Sequence, residues 1–348
     1  MNKIRVRKRP NINVAANNNL TIGIIGAGSW GTALAMLFAT NKVPCILYGN
    51  APEVLDDIKL NRRNQQYLPD LVIPDNLQLA YSLEELASAD IILLAVPSHV
   101  FRPVLESVRN KLPHINKIAW ATKGLEQVSH KLLHEVAQEV FTDVHTAVLS
   151  GPTFAYEVAK GLPSAITIAS RNEDFSRTLA SLCHCDYFRA YTTHDIIGVQ
   201  IAGAVKNVLA IGAGISDGLK FGANARAALI TRGLAEIMRL GVRLGADAET
   251  FMGLAGLGDL VLTCTDNLSR NRRFGLAIAK GQSHTQAQQE IGQVVEGINT
   301  ADVVYNLAGE LGISMPITEQ VYRVVHQNAD PGEAVQSLFL RDLKAETE

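Results

Sequence analysis

The sequence predicts an α/β chain: a parallel sheet wound with helices, then a second domain that is all-helical. Three observations lead there. Short β-branched runs alternate with amphipathic stretches from Leu20 to about Tyr191, the first run leads at once into a glycine-rich turn and a helical pattern, and after His194 the strand signals stop. The expected division is a mobile basic tail over 1–19, a sheet domain over 20–193 and a helical domain over 194–348. A length of 348 residues suits two cores better than one.

The runs in chain order are LTIGII, CILYG, a short strand near Leu77 to Ala80, IILLAV, KIAWAT, TAVLSG and AITIAS. IILLAV is apolar at every position, as a central strand covered on both faces must be. Ser82 followed by Glu85 is a capping box that starts a short helix. Beyond His194, helical spacing runs through HDIIGVQIAGAVKNVLAIGAGI, NARAALITRGLAEIMRLGVRLG and NTADVVYNLAGELG. Residues 196–215 are apolar nearly all round, which predicts a buried central helix. Gly203, Gly212 and Gly214 weaken that helix intrinsically but permit close packing. Arg226, Arg232, Arg239 and Arg243, with Glu236 among them, read as a solvated or interfacial face where a homodimer contact has room.

Composition narrows the function. With 47% apolar and 19% charged residues the chain builds cores, and a net charge of −2 offers no general attraction to nucleic acid or an anionic membrane. Any bound anion must therefore be held by a local cluster of donors. Cys45, Cys183, Cys185 and Cys264 lack a repeated pair spacing, which favours free thiols and a cytoplasmic setting. The basic stretch Lys3 to Arg9 is separated from LTIGIIGAG by an Asn-rich spacer, so it reads as a tail rather than a signal peptide, with matrix targeting as the lesser reading. No apolar run approaches the roughly 20 residues a bilayer requires.

In IGAGSWGTALA, Gly26, Gly28 and Gly31 follow a strand and open a helix, the order of a Rossmann-type dinucleotide-binding domain. Gly26 permits the tight turn, Gly28 lets a pyrophosphate approach the backbone, and Gly31 lets the helix pack on the strand. A bare structural turn is the competing reading. At the end of the second strand stand Tyr48, Gly49 and Asn50, where an acid would select NAD by its ribose; neither acid nor arginine is there, so both NAD and NADP are expected.

Ligands of open parallel sheets bind beyond the carboxyl ends of the strands. Those places hold Pro97-Ser98-His99, Lys123-Gly124 and Pro152-Thr153-Phe154-Ala155. Lys123 is either a site cation or a solvated loop lysine. Lys206, a lone cation in an apolar helix, must either be ion-paired or be chemically used, and burial would lower its pKa into the range of a proton donor. Asn207 beside it offers an amide to the same oxygen. GLGDLVLTCT brings Asp259 to a helix or loop start, and Arg270 with Asn271 supplies a planar fork and an amide suited to a phosphate dianion, or else a surface salt-bridge cluster. Arg272 and Arg273 read as solvated helix residues.

GAGSWGTA, PSH, ATKG, SGPTFA, GAVKN, GLGDLVLTCT, SRNRRFG and VVEG, in this order and spacing, closely resemble bacterial NAD(P)-dependent glycerol-3-phosphate dehydrogenase, from about Thr21 to Glu319. The resemblance implies cofactor contacts at Gly26, Gly28, Ser29, Trp30, Gly31, Asn50, Lys123, Ala155, Arg270, Val294 and Glu296. It implies substrate contacts at Lys123, Gly151, Thr153, Lys206, Asp259, Ser269, Arg270 and Asn271, with Lys206, Asp259 and Lys123 as the catalytic set and Lys206 as proton donor and acceptor. The implied reaction interconverts dihydroxyacetone phosphate and sn-glycerol 3-phosphate, supplying glycerol phosphate for membrane lipid synthesis. Asn50 and Ala51 depart from relatives that carry His or Arg there, and the basic tail has no counterpart.

Two rival readings share parts of the pattern: a β-hydroxyacid or ketopantoate-type reductase, whose substrate bears a carboxylate, and a silent dinucleotide-binding protein, which needs no proton donor. His130 with His134 one helical turn on, and Cys183-His184-Cys185 in an extended segment, lack metal-site patterns, and no metal is expected. Asn50→Asp is expected to shift cofactor preference toward NADH by repelling the 2′-phosphate of NADPH, measured as the ratio of kcat/KM values for the two cofactors. Strict use of one cofactor by the unmutated chain would instead place ribose selection elsewhere.

Overall fold

The computed structural model describes residues 20–341 and Ala345; the basic tail over 1–19 lies outside the described residues. Strands β1 (Ile22–Ile25), β2 (Cys45–Tyr48), β3 (Gln78–Ala80), β4 (Ile91–Leu94), β5 (Lys117–Trp120), β6 (His145–Ser150), β7 (Ser164–Ala169) and β8 (Phe188–Thr193) form one sheet in the order β3-β2-β1-β4-β5-β6-β7-β8. Interleaved with them are helices α1 (Ser29–Thr40), α2 (Pro52–Asn61), α3 (Phe101–Lys111), α4 (Leu133–Val140), α5 (Ala155–Ala159) and α6 (Glu173–Cys183). The helical region continues through α7 (Ile196–Gly218), α8 (Gly222–Arg243), α9 (Asp259–Thr265), α10 (Arg270–Ala279), α11 (His284–Ile291), α12 (Glu296–Leu311), α13 (Pro316–His326) and α14 (Pro331–Phe339).

β1 is buried along its whole length because it is central, with Ile22 opposite both Cys45 of β2 and Ile91 of β4. The winding reverses between β1 and β4, the kind of crevice where α/β sheets take ligands. One face is covered by apolar residues of α1 and α6, including Leu34, Phe38, Phe175 and Leu179. The other is covered by α3 and α4 through Phe101, Leu105, Leu133 and Val136. The capping box forms as expected, the Glu85 carboxylate accepting from the Ser82 N–H at 2.9 Å.

The sheet departs from the expected uniform parallel pattern at its end, where β7 runs antiparallel to β6 and β8 parallel to β7. A parallel return needs a helix long enough to cross the sheet face. The intervening α5 has only five residues and packs on α1 instead. β8 itself was not expected as a strand: FRAYTT is polar and half-exposed, as an edge strand should be, so it lacks an apolar run. Cys183 ends a helix rather than lying in an extended segment. His130 sits in a turn with φ of 57° and meets Glu310 at 3.2 Å, while His134 is buried on α4 against Gln200, so the two do not share a helix.

The expected central helix is α7, buried along nearly all its length. Its apolar window is long enough to span a bilayer, contrary to the expectation from apolar runs, yet 94% of that window is buried inside the protein. It begins at Asp195, whose carboxylate accepts from the Gly198 N–H at 2.8 Å. α10 crosses it so closely that a Cβ on Gly214 would lie 2.1 Å from the Arg272 carbonyl oxygen, and one on Gly275 would lie 2.1 Å from that of Ile211.

Arg232, Arg243 and Arg273 are exposed as expected, but other charged residues of this region are less solvated. Arg272 is buried and donates to Asp217 at 2.6 Å, and Arg226 donates to the same carboxylate at 2.9 and 3.0 Å. Arg239 bonds the Ser314 carbonyl. Glu236 lies in the core and accepts from Ile317 N–H at 2.7 Å, Thr318 N–H at 3.1 Å and the Thr318 hydroxyl at 3.0 Å, satisfying the open amino end of α13. Glu236→Ala strands these donors away from water and is expected to destabilise the fold by about 2–4 kcal/mol. A lower urea midpoint at unchanged slope is the readout, and an unchanged midpoint would remove Glu236 as a cap.

Candidate active site

The glycine turn lies at the carboxyl end of β1. Gly26 has φ of +118°, and a Cβ there would stand 2.6 Å from the Ala95 carbonyl oxygen. One on Gly31 would stand 1.8 Å from that of Gly26. Only glycine fits either place. At Gly28 a Cβ would meet nothing within 4 Å, so this glycine leaves the space above the turn open. Gly28 also precedes α1, whose first residues are Ser29 and Trp30, and the Trp30 Nε1 is buried without a protein acceptor. Open space, free N–H groups at a helix amino end and an unanswered donor suit a dinucleotide pyrophosphate. Asn50 is exposed past the end of β2, and Ala155 opens α5, which packs against α1.

A buried ionic centre faces the strand ends. Lys123, beyond β5, donates to Asp259 Oδ2 at 2.7 Å and to the Gly151 carbonyl at 3.3 Å. Lys206, from the middle of α7, bonds Asp259 Oδ1 and donates to Thr263 Oγ1 at 2.8 Å. Asp259 is 1% exposed and Lys206 6%, so both charges are desolvated. Burial pulls the Lys206 ammonium down to about 7, with Asp259 opposing the fall and Lys123 adding to it. Burial pushes the Asp259 carboxyl up, but the two lysines outweigh it and hold it below its ordinary value. Thr153 donates its hydroxyl to the Gly151 carbonyl at 3.2 Å, which places it beside Lys123.

Local sequence explains how Asp259 arrives. The glycines of LAGLG form a wide turn, with Gly258 N–H bonded to Gly253 O at 3.2 Å, and Asp259 then opens α9. Thr263, four residues later, falls on the same helix face and was not singled out from sequence; the i to i+4 spacing was its signal.

The third group surrounds the start of α10. Ser269 caps that helix, accepting from Arg272 N–H at 3.2 Å. Asn271 accepts from Gly297 N–H at 2.9 Å and donates to Asn207 Oδ1 at 2.9 Å, tying α10, α12 and α7 together. Arg270 gives one N–H to Gln293 at 3.3 Å; burial lowers its pKa and Glu296 opposes the change. Glu296 accepts from the Ser98 hydroxyl at 3.1 Å across the cleft, and burial lifts its carboxyl above the usual range. Ser98 and Glu296 also flank the space over Gly124, next to Lys123. Val294 is half-exposed near this group. The ionic centre and the α10 group are thus adjacent through Lys206 and Asn207, while Asn50 stands apart at the far end of the dinucleotide turn.

A doubly wound sheet with a dinucleotide turn, closed by a helical region that presents a buried lysine–carboxylate centre, defines a nicotinamide-dependent dehydrogenase. Family models for the NAD-dependent glycerol-3-phosphate dehydrogenase N-terminus and C-terminus match residues 21–176 and 195–336. The glycerol-3-phosphate dehydrogenase (NAD(P)+) of Methylococcus capsulatus is 55% identical over 328 residues, 93% of this chain and 98% of that one. That of Aeromonas hydrophila is 53% identical over 332 residues, 94% and 99% of the two chains. The crystal structure of glycerol-3-phosphate dehydrogenase from Coxiella burnetii superposes with a TM-score of 0.90 at 47% identity, covering 93% of this chain and 99% of that one. The chain belongs to the NAD-dependent glycerol-3-phosphate dehydrogenase family, and its activity is NAD(P)-dependent glycerol-3-phosphate dehydrogenation. The two rival readings fall with that assignment.

If Lys206, whose ammonium burial pulls down to about 7, exchanges a proton with the reacting oxygen, the two directions have opposite pH dependences. Oxidation of glycerol 3-phosphate needs the free amine and is expected to fall as pH drops below about 7; reduction of dihydroxyacetone phosphate needs the ammonium and is expected to fall as pH rises above it. Lys206→Ala is expected to lose about 10² to 10⁴ in kcat while binding reduced cofactor normally. Near-normal turnover by that folded variant would remove Lys206 from proton transfer.

Proposed function

We propose that Lys206 is the proton donor and acceptor at C2 of the substrate, with Asp259, Lys123 and the α10 group arranging the reactants around it. The carrying observation is the buried Asp259 held between Lys206 and Lys123. Reduced nicotinamide, when bound over the glycine turn, would supply a hydride for C2 of dihydroxyacetone phosphate. Lys206 then protonates the C2 oxygen, and burial supports that role by weakening its hold on the proton. Asp259 fixes the lysine's direction, and Thr263, one turn along the same face of α9, adds a second acceptor. Lys123, with Gly151 and Thr153 beside it, is placed to meet the polar end of the substrate. Arg270, supported by Ser269 and Asn271, grips the phosphate, so that binding energy far from the reacting carbon orients it. Gly26, Gly28, Ser29, Trp30, Gly31, Asn50 and Ala155 hold the cofactor from one side of the cleft, and Lys123, Arg270, Val294 and Glu296 meet it from the other.

In the cell the reading is reduction of dihydroxyacetone phosphate in the cytoplasm, to supply glycerol phosphate for phospholipid synthesis. Residues 20–193 and 194–348 are taken as two domains, supported by the end of the sheet at Thr193 and the start of α7 at Ile196. A homodimer is part of the proposal; exposed Phe221 and Val242 at the two ends of α8 support a contact on that helix.

NAD(P)H oxidation with dihydroxyacetone phosphate, with a panel of 2-keto acids, and with no substrate tests the substrate assignment. Arg270→Lys keeps the charge but removes the planar fork. Its kcat/KM for dihydroxyacetone phosphate is expected to fall by more than about tenfold, since a charge-assisted hydrogen bond contributes about 1.5 to 3 kcal/mol. Unphosphorylated dihydroxyacetone is expected to lose much less. Equal losses for both substrates would move the phosphate anchor elsewhere.

A further inference from the structure

Beneath the glycine turn lies a side chain that no part of the dinucleotide fingerprint includes. Asn64 is 0% exposed, in the segment after α2, where its carbonyl accepts from Leu68 N–H at 2.7 Å and Tyr67 N–H at 3.2 Å. Its backbone is therefore fixed by a local turn. Its Nδ2 donates to the Ala27 carbonyl at 3.0 Å and to Thr32 Oγ1 at 2.9 Å, which uses both amide hydrogens. Oδ1 is left buried without a partner. A flipped amide would set that oxygen against the Ala27 carbonyl, so the carbonyl dictates the orientation.

The consequence follows from peptide geometry. Across a planar trans peptide the C=O of one residue and the N–H of the next point in opposite directions. No described peptide bond is cis. Asn64 holds the Ala27 carbonyl inward, so the Gly28 N–H points away from Asn64, and a Cβ on Gly28 would meet nothing within 4 Å. Thr32 closes the same small ring, with its hydroxyl 3.4 Å from the Ala27 carbonyl and its N–H bonded to Gly28 O at 3.0 Å.

We infer that Asn64 is a positioning residue for the dinucleotide, clamping the Ala27–Gly28 peptide so that its N–H is preset to receive the pyrophosphate. The inference rests on the reading of the glycine turn as the cofactor site. It separates binding from chemistry: Asn64 lies behind the turn, apart from the ionic centre, and governs cofactor affinity rather than the proton-transfer step.

The test is fluorescence titration of NADH and NADPH with the full chain carrying Asn64→Leu, which has similar bulk and no donor, and Asn64→Asp, which is isosteric but cannot donate when ionised. The cofactor Kd is expected to rise by about tenfold or more for both variants, the effect of losing a buried hydrogen bond and leaving the Ala27 carbonyl only the long contact to the Thr32 hydroxyl. At saturating cofactor, kcat and the KM for dihydroxyacetone phosphate are expected to stay within about twofold of the unmutated chain, a split that general loosening of the fold would not produce. A Kd unchanged in either folded variant overturns the inference, as does a parallel loss of kcat, or failure of both variants to fold. Gly28→Val serves as the control for the underlying reading. If that variant binds cofactor normally, the turn is not the cofactor site; if it fails to bind while the Asn64 variants bind normally, only the role of Asn64 is lost.

Discussion

The arrangement of this molecule turns on one carboxylate shared by two lysines. Asp259 is brought by α9, Lys206 by α7 and Lys123 by the loop beyond β5, so three separate elements must meet at one buried point. Desolvating three charges is costly, and mutual attraction offsets the cost only where the geometry is held firmly and remaining donors are answered. Thr263 and the Gly151 carbonyl supply those answers. The trio carries a net positive charge while Lys206 is protonated, which favours an anionic substrate in a chain whose overall charge offers it no attraction.

That requirement explains the character of α7. A helix carrying a lysine in its middle keeps that lysine dry only if it is covered on all sides, and α8, α9, α10, α12 and α13 all pack on it. Gly214 and Gly275 let the α10 backbone lie against it, and the same approach brings Asn271, next to Arg270, into direct hydrogen bonding with Asn207, next to Lys206. The start of α10 and Lys206 are thus spaced by backbone contact rather than by flexible side chains, the kind of support a reactive geometry requires. The cleft is bridged twice between sheet and helices, by Lys123 with Asp259 and by Ser98 with Glu296.

Much of this was legible from sequence wherever the physics is local. The glycine turn declares itself because its steric demands fall on three nearby residues, and Lys206 does so because a lone cation in an apolar helix has no bland solvent-facing explanation. The sharing of Asp259 was not legible, since its partners lie 53 and 136 residues away and charge pairs leave no periodicity. Arg272, Arg226 and Glu236 were misread for the same reason: a charged residue on an amphipathic helix looks solvated until its distant partner is known. β8 was hidden by its polar edge character, and the reversal at β7 by the shortness of α5, whose packing on α1 is a tertiary fact.

The cap that Glu236 places on α13 also bears on how the chain folds. Its donors lie 81 and 82 residues further along, so the contact is among the less local ones in the helical region. Helices α7 and α8 are made long before α13, and until residue 318 has been synthesised the Glu236 carboxylate has no amino end to meet. In the growing chain that glutamate lacks these donors, and its charge belongs in water. Loop closure over such a distance slows the final step and exposes apolar helix faces meanwhile. Closure of the Glu236 contact thus waits for the last part of the helical region, and so does the covering of α7 around Lys206 by α12 and α13.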